Sequence, residues 1–155
     1  MSKRKRRPAA CLALALAAVA LFATCSDKLR LREGRLMEWN GAFAKHTAPA
    51  AVLIESNEQW KNLWNEEIGQ MTPMSPDFSR TFAVAVFAGE KKSGGYAMLV
   101  HTPVMQDGRL VIAYQEIKPD PKDFLMHVRT TPYTVVLFWK NHTAVKLQQL
   151  PGKRR

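Results

Sequence analysis

Cysteine is scarce in this sequence: Cys11 and Cys25 are the two it holds, and both fall within its first 25 residues. No disulfide framework can therefore staple the rest of the chain. The four histidines, His46, His101, His127 and His142, show no His-x-x-x-His or His-x-x-Glu-His spacing, so no metal and no cofactor is expected. Ser93 precedes two glycines but lacks the Gly-x-Ser-x-Gly elbow of a serine nucleophile, and Lys91 and Lys92 lack the phosphate-loop pattern. The expectation is a protein that is not an enzyme. A hydrolase whose serine, histidine and acid converge from remote positions is the one catalytic reading left open. Internal repeats and long Gly, Ser or Pro tracts are absent as well, which argues for one domain.

Acid is also in short supply, with 13 Asp and Glu against 23 Lys and Arg and a formal charge of +10. Such an excess suggests a polyanion as partner only where the basic residues share a folded surface. Here they do not. Five stand at residues 3 to 7, four between Lys28 and Arg35, and three at Lys153-Arg154-Arg155, while residues 36–150 carry eleven of each sign. Nucleic acid is therefore not an expected partner. The segment Lys28-Leu29-Arg30-Leu31-Arg32 is either a solvated linker or an arm lying on anionic headgroups.

What is present at the N-terminus has the layout of an export signal. Lys3-Arg4-Lys5-Arg6-Arg7 is followed by 17 residues, Ala9 to Cys25, without a charge. A basic segment stays on the cytoplasmic face while the apolar run enters the bilayer, because charge is costly to move through hydrocarbon. The run closes on Leu21-Phe22-Ala23-Thr24-Cys25, which resembles the lipobox of bacterial lipoproteins. That resemblance implies cleavage before Cys25, acylation of its thiol with a chain such as palmitate, and a membrane anchor in the cell envelope, on the inner or the outer membrane. Ordinary secretion and an uncleaved anchor are the alternatives. The expected organisation is a signal peptide over 1–24, a tether over 25–35, one domain over 36–150 and a basic tail over 151–155.

Within the domain, Ser56 caps a helix, with Gln59 reaching back to the cap backbone. Trp60, Leu63, Trp64 and Ile68 then recur at helical spacing, and Gly69 stands where the helix should stop. Glu66 and Glu67 read as a solvated face. The remainder reads as strands: Ala51 to Glu55, Phe82 to Ala88, Tyr96 to Met105, Leu110 to Gln115, Phe124 to Arg129, Tyr133 to Trp139 and Thr143 to Gln149. Phe82 to Ala88 is apolar on both faces, as a central strand is. Asp107-Gly108 signals a tight hairpin, Asn141-His142 a turn, and Pro103 an edge or bulge. The fold class is mainly β with one helix (α+β), a small antiparallel β-sandwich or open barrel with the helix packed on one end or face.

Two connections stand out as partner-binding candidates. The first, Lys91-Lys92-Ser93-Gly94-Gly95-Tyr96, is polar and glycine-bearing, with Tyr96 as a candidate anchor. In the second, Thr131-Pro132-Tyr133, the proline fixes φ at the start of a strand. A plain hairpin loop with Tyr96 as an ordinary core residue is the competing reading.

From about Val52 to Leu147 the chain resembles the PrcB protease-complex lipoproteins through their carboxy-terminal domain. The likeness rests on Ser56, Trp60, Leu63 and Trp64; on Asp77-Phe78-Ser79 ahead of Phe82 to Ala88; on Gly89 and Ser93-Gly94-Gly95-Tyr96; on Pro119 and Pro121; and on Thr131-Pro132-Tyr133 leading into Val135-Val136. Lys92-Ser93 departs from the Pro-Thr common in that family. The resemblance implies an exported, non-catalytic accessory that binds or stabilises an envelope protease complex. A carrier of small apolar ligands, in a pocket lined by Trp and Met between helix and sheet, is the second reading. A protease-inhibitor-like module is the third, because the first loop is similar to one on chagasin-type inhibitors.

Overall fold

The computed structural model describes residues 34–140 and 144–155. The export signal, Cys11, Cys25, the tether as far as Glu33 and the Asn141-His142 turn lie outside the described residues. Gly34–Arg155 forms one compact unit.

Its centre is a pair of strands that are apolar on both faces. β3 (Thr81–Ala88) is buried at every position, and β7 (Tyr133–Trp139) at all but its last. They pair antiparallel from Thr81↔Trp139 to Phe87↔Tyr133, with β1 (Arg35–Gly41) on the far side of β7 and β2 (Pro49–Ile54) on the far side of β3. Strand side chains alternate between faces, so two separate cores follow. Ala83, Ala85, Phe87, Tyr133, Val135 and Leu137 face a core shared with the helix, whereas Phe82, Val84, Val86, Val136 and Phe138 face the second sheet.

The second sheet is organised around β6 (Arg109–Lys118). Along one edge it pairs antiparallel with β4 (Ala97–Val100) and β5 (Val104–Gln106). The expected antiparallel sandwich is present, with one addition: β8 (Val145–Gln149) and β9 (Lys153–Arg154) run parallel to β6. β9 lies in the segment expected as a basic tail. The expected strand Tyr96 to Met105 is split into β4 and β5, because Pro103 brings no N–H to a ladder. The hairpin at Asp107-Gly108 forms with positive φ at both residues, 49° and 73°, as a type I′ turn requires. Across the two sheets, the Thr134 hydroxyl donates to the Met98 carbonyl at 2.8 Å.

The helix covers the outer face of the first sheet. α1 (Asn57–Asn62) is capped by Ser56, whose hydroxyl accepts from Gln59 N at 3.2 Å. Gln59 reaches back to Glu55 N, one residue before the cap backbone it was expected to meet. From Leu63 to Ile68 the coil widens to a π-helix, and it ends on Gly69 at φ 78°. That widening lets Trp60, Leu63, Trp64 and Ile68 all point inward. Trp39 of β1 meets Trp60 and Trp64 edge to face at 5.4 and 5.9 Å, and the two helical rings meet each other at 5.5 Å. Before β3, the Asp77 carboxylate accepts from the Ser79 hydroxyl and amide at 2.6 and 3.0 Å, bonds that hold it below its usual pKa.

Trp60 is wholly buried at the centre of this aromatic group. Trp60→Ala should destabilise the fold by about 3–5 kcal/mol, measured by urea unfolding. A loss under about 1 kcal/mol would mean that the helix is not docked by its tryptophans.

Candidate functional site

The two candidate loops meet at one end of the sandwich. Lys91 and Thr130 exchange backbone hydrogen bonds of 2.7 and 3.0 Å, an isolated antiparallel bridge joining the connection after β3 to the residues before β7. The Thr130 hydroxyl donates to Ser93 O at 2.9 Å, and Gly94 N donates to Met126 O at 3.0 Å. A third segment joins them. Thr131 bonds Ala44 from both sides, its hydroxyl donating to Ala44 O at 2.6 Å and accepting from Ala44 N at 2.7 Å. Residues 42–47, 89–96 and 119–131 thus form one connected end, built from backbone pairs and hydroxyl bridges.

Candidate residues divide into those facing solvent and those that position others. Lys92 and Gly95 are exposed, with Ser93, Gly94 and Tyr96 half-buried. Lys91 is tied down: its ammonium pairs with Glu116 at 3.0 Å and stands 5.5 Å from the centre of the Tyr96 ring. Pro132 is buried. Tyr133, only 3% exposed, sits in the helix-side core, where burial raises the pKa of its phenol. Its hydroxyl donates to Gln70 Oε1 at 3.2 Å. Pro132 and Tyr133 therefore do not meet a partner directly. They anchor the end of the loop to the core, Pro132 also accepting from Ala88 N at 2.9 Å.

Residues 124–129, expected as a strand, are irregular and carry the most exposed apolar side chains of this end. Phe124 is 100% exposed and Met126 71%, with Val128 beside them and Phe43 across Thr131 at 60%. Sequence reasoning missed this patch because a short apolar run reads as a buried strand. The signal available was the preceding Lys118-Pro119-Asp120-Pro121, which leaves little room for a ladder. Arg129 and Glu90 form an ion pair at 2.9 Å on the rim.

What this end presents to solvent is apolar area on a cross-linked set of loops. Among the described residues, no group of three or more His, Cys, Asp or Glu is placed to hold a metal ion. Where this end meets the helix, His46 Nδ1 meets Glu67 Oε2 at 2.5 Å, a pair that the solvated reading of Glu67 did not foresee.

Gly95 shapes the loop, since its φ of 85° lies in the left-handed region. A β-carbon there would stand 2.8 Å from Leu125 Cδ2 and 2.9 Å from Pro119 Cβ. Gly95→Ala should cost about 1–3 kcal/mol and loosen the 119–126 segment, seen as faster amide exchange there. Unchanged exchange would show that Gly95 does not set the packing of the two loops.

No curated protein and no solved structure matches this chain. Residues 82–138 match the family model described as PrcB C-terminal. The match is narrower than the likeness read over Val52 to Leu147, leaving out the capped helix and Asp77-Phe78-Ser79. It spans β3 from Phe82, the 89–96 connection, all of β4 to β6, the 119–131 segment and β7 through Phe138. Residues 82–138, which build the central strand pair and most of the loop end, are thus similar to the PrcB C-terminal family.

Proposed function

We propose that this protein is an exported, lipid-anchored accessory of an envelope protease complex, and that it binds its partner through the connected loop end. The match of residues 82–138 to the PrcB C-terminal family model supports association with a protease complex. The observation that carries the choice of surface is the apolar patch of Phe124, Met126 and Val128, displayed beside Lys92 on loops that are cross-linked to one another. Rigid presentation of exposed aromatic and Met side chains lowers the ordering cost of binding. Lys92 and Tyr96 lie on the connection whose Gly94 N bonds Met126 O at 3.0 Å.

The carrier reading called for a pocket lined by Trp and Met between helix and sheet. Trp39, Trp60 and Trp64 instead pack on one another, and the cavity that does lie between helix and sheet has neither Trp nor Met in its lining. Protein binding is therefore favoured over ligand carriage.

Capture from envelope extracts with the tagged full chain tests the surface. The double variant Phe124→Ser, Met126→Ser should lose its main partner by roughly tenfold or more, while Met74→Ser, at a more exposed methionine elsewhere, should retain it. Equal recovery by both variants would rule the patch out. Anchoring is tested separately: the wild-type chain should incorporate a palmitate analogue and Cys25→Ala should not. Label persisting in Cys25→Ala would overturn the lipid assignment.

A further inference from the structure

The two edges of the four-stranded sheet are built differently. β1 shifts register between Arg35 and Met37 and carries an Arg35–Glu38 ion pair of 3.0 Å. Bulges and charges of this kind blunt an edge against strand addition. β2 has neither. It keeps unbroken register with β3 from Pro49 to Ile54, and after Pro49 it reads Ala50-Ala51-Val52-Leu53-Ile54. Among the described residues nothing pairs with its outer side. Alternate N–H and C=O groups along β2 therefore face outward without a protein partner, a template for one more strand.

Beside that edge, on the helix side, lies a cavity of about 220 Å³. Val52 and Ile54 of β2, Phe87 of β3 and Leu63 of the helix form its apolar walls, with His46 and Asn62 at the margin. A strand added to β2 would direct every second side chain toward the helix, over this cavity. Charge narrows the choice of occupant. From Glu55 to Ile68 the chain carries Glu55, Glu58, Glu66 and Glu67 against a single base, Lys61. Glu55 and Glu67 face Lys140 and His46, while Glu58 and Glu66 form no ion pair among the described residues.

We propose that the β2 edge and the cavity between it and the helix form a second docking groove, separate from the Phe124, Met126 and Val128 patch. Its occupant is an extended segment of another protein that adds to β2 as a strand, places one aliphatic side chain in the cavity, and carries basic residues on both flanks. Backbone pairing supplies the affinity, and the cavity and the carboxylates of the neighbouring helix supply the selection.

The test uses the isotope-labelled full chain and the peptide Lys-Ser-Thr-Leu-Thr-Ser-Lys. Titration should shift the amides of Ala51 to Ile54 and of Leu63 to saturation, and slow exchange along β2. Methylating the peptide's backbone nitrogens, or replacing both lysines by glutamate, should weaken binding about tenfold, the scale of one lost net hydrogen bond. Asn62→Trp, which fills the cavity from an exposed helical position, should abolish the shifts while leaving circular dichroism unchanged. Phe124→Ser should leave them intact, separating this groove from that patch. Absence of saturable shifts in β2, or equal binding by the methylated peptide, would overturn the proposal. Protection of β2 that depends on protein concentration without peptide would assign the edge to a second copy, and would equally overturn it.

Discussion

Everything in this domain depends on the pairing of β3 with β7, two strands apolar on both faces that would be insoluble if either face were left open. The helix closes one face and the second sheet closes the other. Burial on both sides is the dominant favourable term, and it commits the remaining elements to their places. β6 serves the second sheet as β3 and β7 serve the first, collecting antiparallel partners along one edge and parallel ones along the other.

The loop end inherits its order from this pair. The 89–96 connection leaves β3 just where the 130–132 segment enters β7, so register alone brings Lys91 opposite Thr130. Tyr133 in the core and the Thr131 hydroxyl bridge to Ala44 then hold the end from within. A polar, glycine-bearing loop becomes a fixed platform, and the exposed Phe124 and Met126 are presented on it rather than on a mobile tether. The β2 edge owes its openness to the same architecture. Among the described residues it is the last strand of its sheet, and the helix leans over its inward face while no backbone hydrogen bond reaches its outer side.

Local signals were legible where one residue or one period decides the outcome. Ser56 caps the helix, Gly69 ends it, Asp107-Gly108 turns the hairpin, and the run Phe82 to Ala88 is the central strand. Strand β1 escaped notice because Arg35-Leu36-Met37-Glu38 has no clean alternation; it is a strand because β7 offers it a ladder. The split between β4 and β5 was hinted by Pro103, yet residues 124–129 have strand-like composition and no ladder to join. Of the candidate loops, both positions were visible, but the division between exposed Lys92 and buried Tyr133 was not, since a tyrosine after a proline reads alike as anchor or as core.

By itself the sequence determined the class of the fold, the helix with its cap and stop, the central apolar strand, and the absence of a local metal or nucleophile signature. These follow from short-range chemistry: φ preferences, hydrogen-bond caps and the period of apolar residues. Only the tertiary structure decided that β8 and β9 run parallel to β6, that the two loops share one end, and that Phe124 and Met126 face solvent. Each of these depends on which distant strand is free to accept a ladder or a side chain. That choice is made by burial of the whole chain, and no local window carries it.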